Sequence, residues 1–136
     1  MLHDVLVIGA GPAGSHVAGA LAGKGFSVLL LEEHHEVGVP SHCTGIIGVE
    51  AFERFDLSRK SVISEVRSAR VFGPGGGWFR YEVDDPLALV VDRPRFDQVL
   101  VERARALGTE VRLGARVVDV SQGWGRVEAR VSYDGG

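Results

Sequence analysis

The segment Asp4 to Gly14, D-V-L-V-I-G-A-G-P-A-G, constrains this chain more than any other. Its opening run of β-branched and leucyl side chains reads as a strand buried on both faces, of the kind found in a parallel sheet beneath helices. The run ends in Gly9-x-Gly11-x-x-Gly14, and a helix is expected from Pro12 to Lys24. Pro12 suits the first helical turn, where no backbone N–H is needed. Val17, Ala20, Leu21 and Lys24 share helical spacing, and Gly25 is a natural stop. Ser27 to Leu31, S-V-L-L-L, reads as a second buried strand running into Glu32-Glu33. Strand, glycine turn, helix and strand within about 30 residues make a βαβ unit, whose crossover is right-handed.

The chemistry of such a unit follows from its glycines. Gly9 permits the tight turn, Gly11 lets bare main chain approach a pyrophosphate, and Gly14 lets the helix pack closely on the strand. The helix start adds free N–H groups and the positive end of its dipole. Position 32 lies 32 − 11 = 21 residues beyond Gly11, where a carboxylate accepts hydrogen bonds from ribose hydroxyls. The unit therefore reads as a dinucleotide site with Glu32 as the ribose ligand. Glu33 is its rival, one register step away. An acid here repels a 2′-phosphate, which argues against the phosphorylated nicotinamide cofactor at this site. The fingerprint alone does not separate FAD from NAD.

Beyond Glu33 the pattern changes. His34 to Gly48 is a long loop bearing glycines and histidines, and loops of this length in compact domains tend to be functional. Val49 to Phe55 suits a short helix. From Ser64 to Val83 the alternation of Ala69 and Val71 with Arg70 and Phe72, then of Phe79, Tyr81 and Val83 with Trp78, Arg80 and Glu82, predicts antiparallel strands about the turn Pro74-Gly75-Gly76-Gly77. Trp78, Phe79 and Tyr81 read as sheet packing, since no basic run accompanies them to make a base-stacking platform. Leu87 to Val91 is a further strand. Pro94 to Leu107 is the clearest helix, with Phe96, Val99, Leu100, Ala104 and Leu107 on one stripe and Gly108 closing it. Strands follow at Glu110 to Leu113, Val117 to Val120 and Val127 to Tyr133, and Asp134-Gly135-Gly136 reads as a hairpin turn.

Composition bounds the function classes. The chain has 136 residues, enough for one domain, and a net charge of 15 − 18 = −3, which argues against a nucleic-acid binder held by its net field. Glycine is 19 of 136, about twice its usual share, but shows no period, which excludes collagen. The single cysteine, Cys43, rules out an intrachain disulfide and fits a cytoplasmic setting. No stretch approaches the roughly 18 apolar residues of a membrane span.

With these features in place, Val5 to Gly14 and Glu32 resemble the start of FAD-dependent oxidoreductases with the p-hydroxybenzoate-hydroxylase-like fold. Two segments narrow the likeness. Val37-Gly38-Val39-Pro40-Ser41-His42-Cys43-Thr44-Gly45 is similar to the Pro-x-x-Cys-x-Gly signature of geranylgeranyl reductases. Val91-Asp92-Arg93-Pro94-Arg95-Phe96-Asp97 is similar to that family's Arg-x-x-Phe-Asp segment, which aromatic hydroxylases share. Many members carry Gly-Glu-Gly after the cysteine, where this chain has Thr44-Gly45-Ile46.

The resemblance implies an α/β fold: a Rossmann-like FAD-binding βαβ unit with an inserted antiparallel β element, cut short at its C-terminal side. Residues 1–136 would form a partial FAD-binding domain, with 1–33 the dinucleotide unit, 34–63 an active-site-type loop and short helix, and 64–91 the antiparallel insertion. Residues 92–136 would supply a helix, the third parallel strand and the start of a β meander. The resemblance further implies that FAD meets Gly9, Gly11, Pro12, Ala13 and Gly14 at its pyrophosphate and Glu32 at its ribose, with main-chain contacts from Val117 to adenine and a contact from Arg93. Cys43, Thr44 and Gly45 would lie beside the flavin ring, Cys43 being the candidate catalytic residue.

Read from the residues alone, Arg93 could instead be a helix-entry arginine paired with Asp92 or Asp97, and Cys43 a small buried hydrophobe. A zinc grouping of His34, His35, His42 and Cys43 matches no standard spacing, so no metal is expected. In the order 3-2-1-4-5, Val5 to Ile8 would be central, and this chain shows no partner for its second side. The chain is thus expected to be the N-terminal part of a larger protein, which the resemblance implies to be a flavin-dependent reductase of C=C bonds in an isoprenoid lipid. Its partners would be FAD, an apolar or lipid substrate, a reductant such as NAD(P)H, the rest of the same protein and a peripheral membrane contact. The alternatives are an aromatic hydroxylase, a flavoprotein dehydrogenase, or a non-catalytic nucleotide-binding module.

Overall fold

The computed structural model describes residues 2–133, so the turn expected at Asp134-Gly135-Gly136 lies outside the described residues. The chain divides into two compact units, one made of the residues up to Ser41 and from Asp97 onward, the other of His42–Phe96.

The first unit is built on a parallel sheet. Strand β1 (Val5–Ile8) leads through the glycine turn to helix α1 (Pro12–Ala22), which returns to β2 (Val28–Leu31). Helix α3 (Arg93–Ala106) then precedes β8 (Glu110–Arg112). The sheet order is β1-β2-β8, with Val5 opposite Val28 and Leu29 opposite Glu110. This is the 1-2-3 half of the expected order. Strands β9 (Ala115–Gly123) and β10 (Arg126–Tyr133) form an antiparallel hairpin with a register shift between Arg130 and Val131.

The core of this unit gathers around β2 rather than β1. Paired on both sides, β2 buries Val28, Leu30 and Leu31 to 2% exposure or less. The expectation that β1 is buried on both faces fails: its side chains are half-buried and Ile8 is 55% exposed, because among the described residues β1 pairs only with β2. The expected stripe on α1 is also corrected. Ser15, Ala18, Gly19 and Ala22 face inward, while Val17 and Ala20 face outward and the helix ends before Lys24. Small residues win that face because α1 runs close to α3: a Cβ at Gly19 would come within 3.2 Å of the Ala104 Cα. On α3, Phe96, Leu100 and Ala104 are buried as expected, Val101 joins them, and Leu107 is 43% exposed beyond the helix end.

The second unit holds a three-stranded antiparallel sheet, β3-β7-β4, from Ile46–Gly48, Ala88–Val91 and Val62–Val66. Strand β3 falls inside the long loop expected from His34 to Gly48. Three residues with no alternation carry no strand signal; β3 forms because β7 supplies its ladder, Ile46 opposite Val90. Helix α2 (Val49–Arg54) turns Phe52 onto Phe96, ring centroids 6.3 Å apart, and both rings are buried with Leu89 and Val91. A short 3-10 turn, Arg59–Ser61, leads into β4. Strands β5 (Ser68–Phe72) and β6 (Trp78–Glu82) form a separate ribbon pairing Phe72 with Trp78 and Val71 with Phe79. Trp78 and Phe79 stand opposite Phe72 and Val71 in register, yet Trp78, Phe79 and Tyr81 each stay at least half exposed, because among the described residues the ribbon pairs with no further strand.

Leu30 is fully buried at the centre of the first sheet, whereas its neighbour Leu29 is half-buried. Leu30→Ala is expected to lower unfolding free energy by about 2–5 kcal/mol, the range for a buried leucine truncation. Leu29→Ala is expected to cost clearly less, both read from urea unfolding midpoints.

Candidate functional site

The glycine turn takes its shape from contacts that only glycine permits. Gly9 has φ +93°, a left-handed conformation that side chains disfavour. A Cβ on Gly14 would collide with the Gly9 carbonyl oxygen and lie 3.4 Å from Val7 Cγ1, so the first turn of α1 sits directly on the end of β1. Gly9 N–H donates to Leu31 O at 2.7 Å, and the buried Ser15 hydroxyl donates to Ala10 O at 2.9 Å, which fix the turn against β2 and α1. Gly11 precedes the helix with extended backbone, Pro12 opens it, and no side chain caps it. The early N–H groups of such a helix, here those of Ala13 and Gly14, have no acceptor four residues back. No atom approaches within 4 Å of the place a Cβ would occupy on Gly9 or Gly11. The main chain at both positions is therefore open to a ligand.

Glu32 stands at the end of β2, facing this turn. Its Oε2 accepts from Ala10 N–H at 2.7 Å. Its Oε1 accepts from His34 N–H at 3.0 Å and faces His34 Nδ1 at 2.6 Å. Burial works against the charged form, but the His34 N–H, the Ala10 N–H and the His34 ring together outweigh it and hold the carboxyl below its ordinary range. Glu33 turns away: its Oε2 meets Arg116 Nε at 3.5 Å on the exposed surface. A cavity of about 180 Å³ is lined by Ile8, Gly9, Leu31, Glu32, Glu33, Ala115, Arg116 and Val117. It brings the first glycine, Glu32 and Val117 to one place.

The remaining candidates lie in the second unit. Cys43 and Thr44 are exposed, and Gly45 N–H points to Cys43 Sγ at 3.5 Å. Gly45 is buried with φ +74°, and a Cβ on it would collide with Val91 O and press to 3.2 Å from Arg93 Cγ. Val91 N–H donates back to Gly45 O at 2.9 Å. The cysteine loop is thereby stitched to the segment that carries Arg93. Asp92, one of the two partners weighed for Arg93, also serves as the N-cap of α3, where its Oδ1 accepts from Arg95 N–H at 3.1 Å. An aspartate just ahead of a helical pattern is a sequence signal for that cap. Spacing did not reveal His34; it figured only in a zinc grouping, and no spacing rule marks it as a partner of Glu32.

The residues present fit an FAD: an open main-chain turn at a helix start, a carboxylate aimed at that turn, and an adjoining cavity where a sugar and base would lie. The fold and site define a nucleotide-binding α/β protein, and the FAD binding domain family matches residues 3–136; the chain belongs to that family. It is similar to the protein named digeranylgeranylglycerophospholipid reductase 1 in Methanococcoides burtonii, 37% identical over 119 residues, 85% of this chain and 29% of that one. The protein of the same name in Methanopyrus kandleri is 38% identical over 137 residues, 99% of this chain and 36% of that one. Among solved structures, a geranylgeranyl bacteriochlorophyll reductase-like protein from Thermoplasma acidophilum superposes with a TM-score of 0.88 at 27% identity, over 98% of this chain and 36% of its own. The resemblance to geranylgeranyl reductases read from the sequence is shown by these relatives. The chain spans about a third of the length of the proteins it matches.

The turn and its carboxylate can each be tested by substitution. Gly14→Ala forces α1 off β1, so its melting temperature is expected to fall by several degrees or more, since about 1 kcal/mol moves a domain of this size by roughly 2–8 °C. Glu32 is more acidic in the folded chain than in the unfolded one, so its contribution is full above an ordinary glutamate pKa of about 4.3 and fades as pH drops through the lower folded value. Urea midpoints from pH 7 to pH 3 are expected to show the native chain ahead of Glu32→Gln at neutral pH, with the gap closing in that acidic window.

Proposed function

We propose that this chain is the FAD-binding portion of a flavin-dependent oxidoreductase of the geranylgeranyl-reductase type, which saturates C=C bonds of an isoprenoid lipid. The observation that carries the cofactor assignment is the Glu32 carboxylate held against an open glycine turn, beside a cavity that includes Val117. Gly9, Gly11, Pro12, Ala13 and Gly14 would hold the pyrophosphate, with main-chain N–H groups and the helix dipole facing its charge. Glu32 would accept from the ribose, and main chain at Val117 would meet the adenine. Arg93 would add a fixed positive charge toward the cofactor, and Cys43, Thr44 and Gly45 would border the flavin ring.

Supporting the reductase reading are the relatives' names and the Pro40-x-x-Cys43-x-Gly45 loop, whose Gly45 packs against the Arg93 stem. Bound and reduced, FAD supplies a hydride; the second hydrogen of the saturated product comes as a proton from water or from a residue elsewhere in the protein. The electrons would reach the flavin from a reductant such as NAD(P)H. An apolar lipid substrate implies a peripheral membrane contact, and among the described residues no helix is long and apolar enough to cross a membrane.

Two measurements test this reading. Titrating FAD with the purified chain is expected to change flavin fluorescence saturably, with Glu32→Ala weakening binding about tenfold, as for loss of a charge-assisted hydrogen bond. Incubating the whole protein with reduced flavin and a geranylgeranyl lipid is expected to add two daltons per reduced double bond. Oxygen-dependent addition of a hydroxyl to an aromatic compound, with no mass gain on the lipid, would instead identify a hydroxylase.

A further inference from the structure

We infer that His34 is a positioning residue for the cofactor's ribose: it occupies Glu32 Oε1 and so leaves Oε2, on the side of the glycine turn, as the oxygen that receives a sugar hydroxyl. This rests on the FAD reading above and deepens it. A carboxylate offers about four acceptor positions over its two oxygens. Three are taken here. Oε1 receives His34 N–H at 3.0 Å and faces His34 Nδ1 at 2.6 Å, while Oε2 receives Ala10 N–H at 2.7 Å. Because an ionised carboxylate only accepts, the ring nitrogen facing it must carry hydrogen. The remaining position belongs to Oε2, which already touches the turn at Ala10.

The same arrangement fixes the carboxylate plane. Glu32 is pinned at both oxygens by elements that do not move independently: Ala10 follows Gly9, which donates to Leu31 O, and Gly114 N–H donates to His34 O at 3.1 Å. Glu32 itself joins the neighbouring strand crossing, its N–H donating to Arg112 O and its carbonyl accepting from Ala115 N–H. The His34 side chain is 48% exposed and the Glu32 side chain 13%, so the histidine is the solvent-exposed partner of a mostly shielded carboxylate. Without the ring, Glu32 keeps its backbone donors but loses a charge-assisted bond of the shorter class. Its Oε1 then turns to water, and the carboxylate gains rotational freedom that sugar binding must remove.

The test is a set of FAD titrations on the whole protein, with circular dichroism confirming that each variant is folded. His34→Ala and His34→Phe remove the ring donor, the second while keeping a ring in place. His34→Asn restores an N–H donor close to the Nδ1 position. Ala and Phe are expected to weaken FAD binding about five- to tenfold, the scale of one typical net hydrogen bond, and Asn to stay within about twofold of the native chain. In the background of Glu32→Gln, His34→Ala is expected to add little, because the histidine acts through the carboxylate. A folded His34→Ala or His34→Phe chain that binds FAD as tightly as the native one overturns the inference. So does an Asn variant as weak as Ala, or effects of His34 and Glu32 that simply add. A native chain that does not bind FAD at all overturns the FAD reading itself, a different result from the others.

Discussion

A single glutamate ties the nucleotide-binding half of this protein together. Glu32 receives the Ala10 N–H from the glycine turn, two donors from His34, and main-chain bonds linking it to Arg112 and Ala115. The end of β1, the end of β2 and the connection from β8 to β9 therefore meet at one residue. Drawing a carboxylate partly out of water is costly, and it is tolerated because N–H groups from two separate chain segments replace the lost hydration. The charge a sugar would meet is thus already oriented before any ligand arrives, which lowers the ordering cost of binding.

Small residues set the distances around that hub. Gly14 allows α1 to rest on the Gly9 carbonyl, and Ala18, Gly19 and Ala22 allow α1 and α3 to approach beside the sheet. A side chain at Gly14 would push the helix start away from the carboxylate, and one at Gly19 would press on Ala104. In the other unit the same logic operates once more, where Gly45 lets the cysteine loop press on Val91 and the Arg93 stem. Part of the high glycine content is thereby accounted for as close contact rather than flexibility.

The sequence disclosed the alternation of strand, turn and helix better than its extents. Strand β1 covers Val5–Ile8, β2 and α3 differ by a residue at their ends, and the ribbon about Pro74-Gly75-Gly76-Gly77 is present, but α1 stops two residues short of Lys24 and β9 runs over Ala115–Gly123 where only Val117 to Val120 was expected. The faces were less legible. Helix α1 is so rich in alanine and glycine that its inward face is hard to read: of the expected stripe Val17, Ala20, Leu21 and Lys24, Leu21 packs against the core, Val17 and Ala20 face outward, and Ser15, Ala18, Gly19 and Ala22 take the buried face. Strand β3 was hidden because Ile46–Gly48 is too short to show a period. Of the site, the glycine turn and the acids were legible; His34 and Arg116 were not, since neither belongs to a spacing rule.

Local backbone rules operate over a few residues. By itself, therefore, the sequence determined the βαβ unit, the glycines that turn it and the presence of a carboxylate where a ribose would lie. Only the tertiary structure decided that Glu32 faces the turn while Glu33 faces Arg116, that His34 braces the carboxylate, and that Gly45 locks the cysteine loop to the Arg93 segment. Those choices depend on parallel register between β1, β2 and β8 and on pairing of β3 with β7, contacts between residues up to about eighty positions apart in the chain. A hydrogen-bond donor finds its acceptor by position in space, and no local pattern records that position.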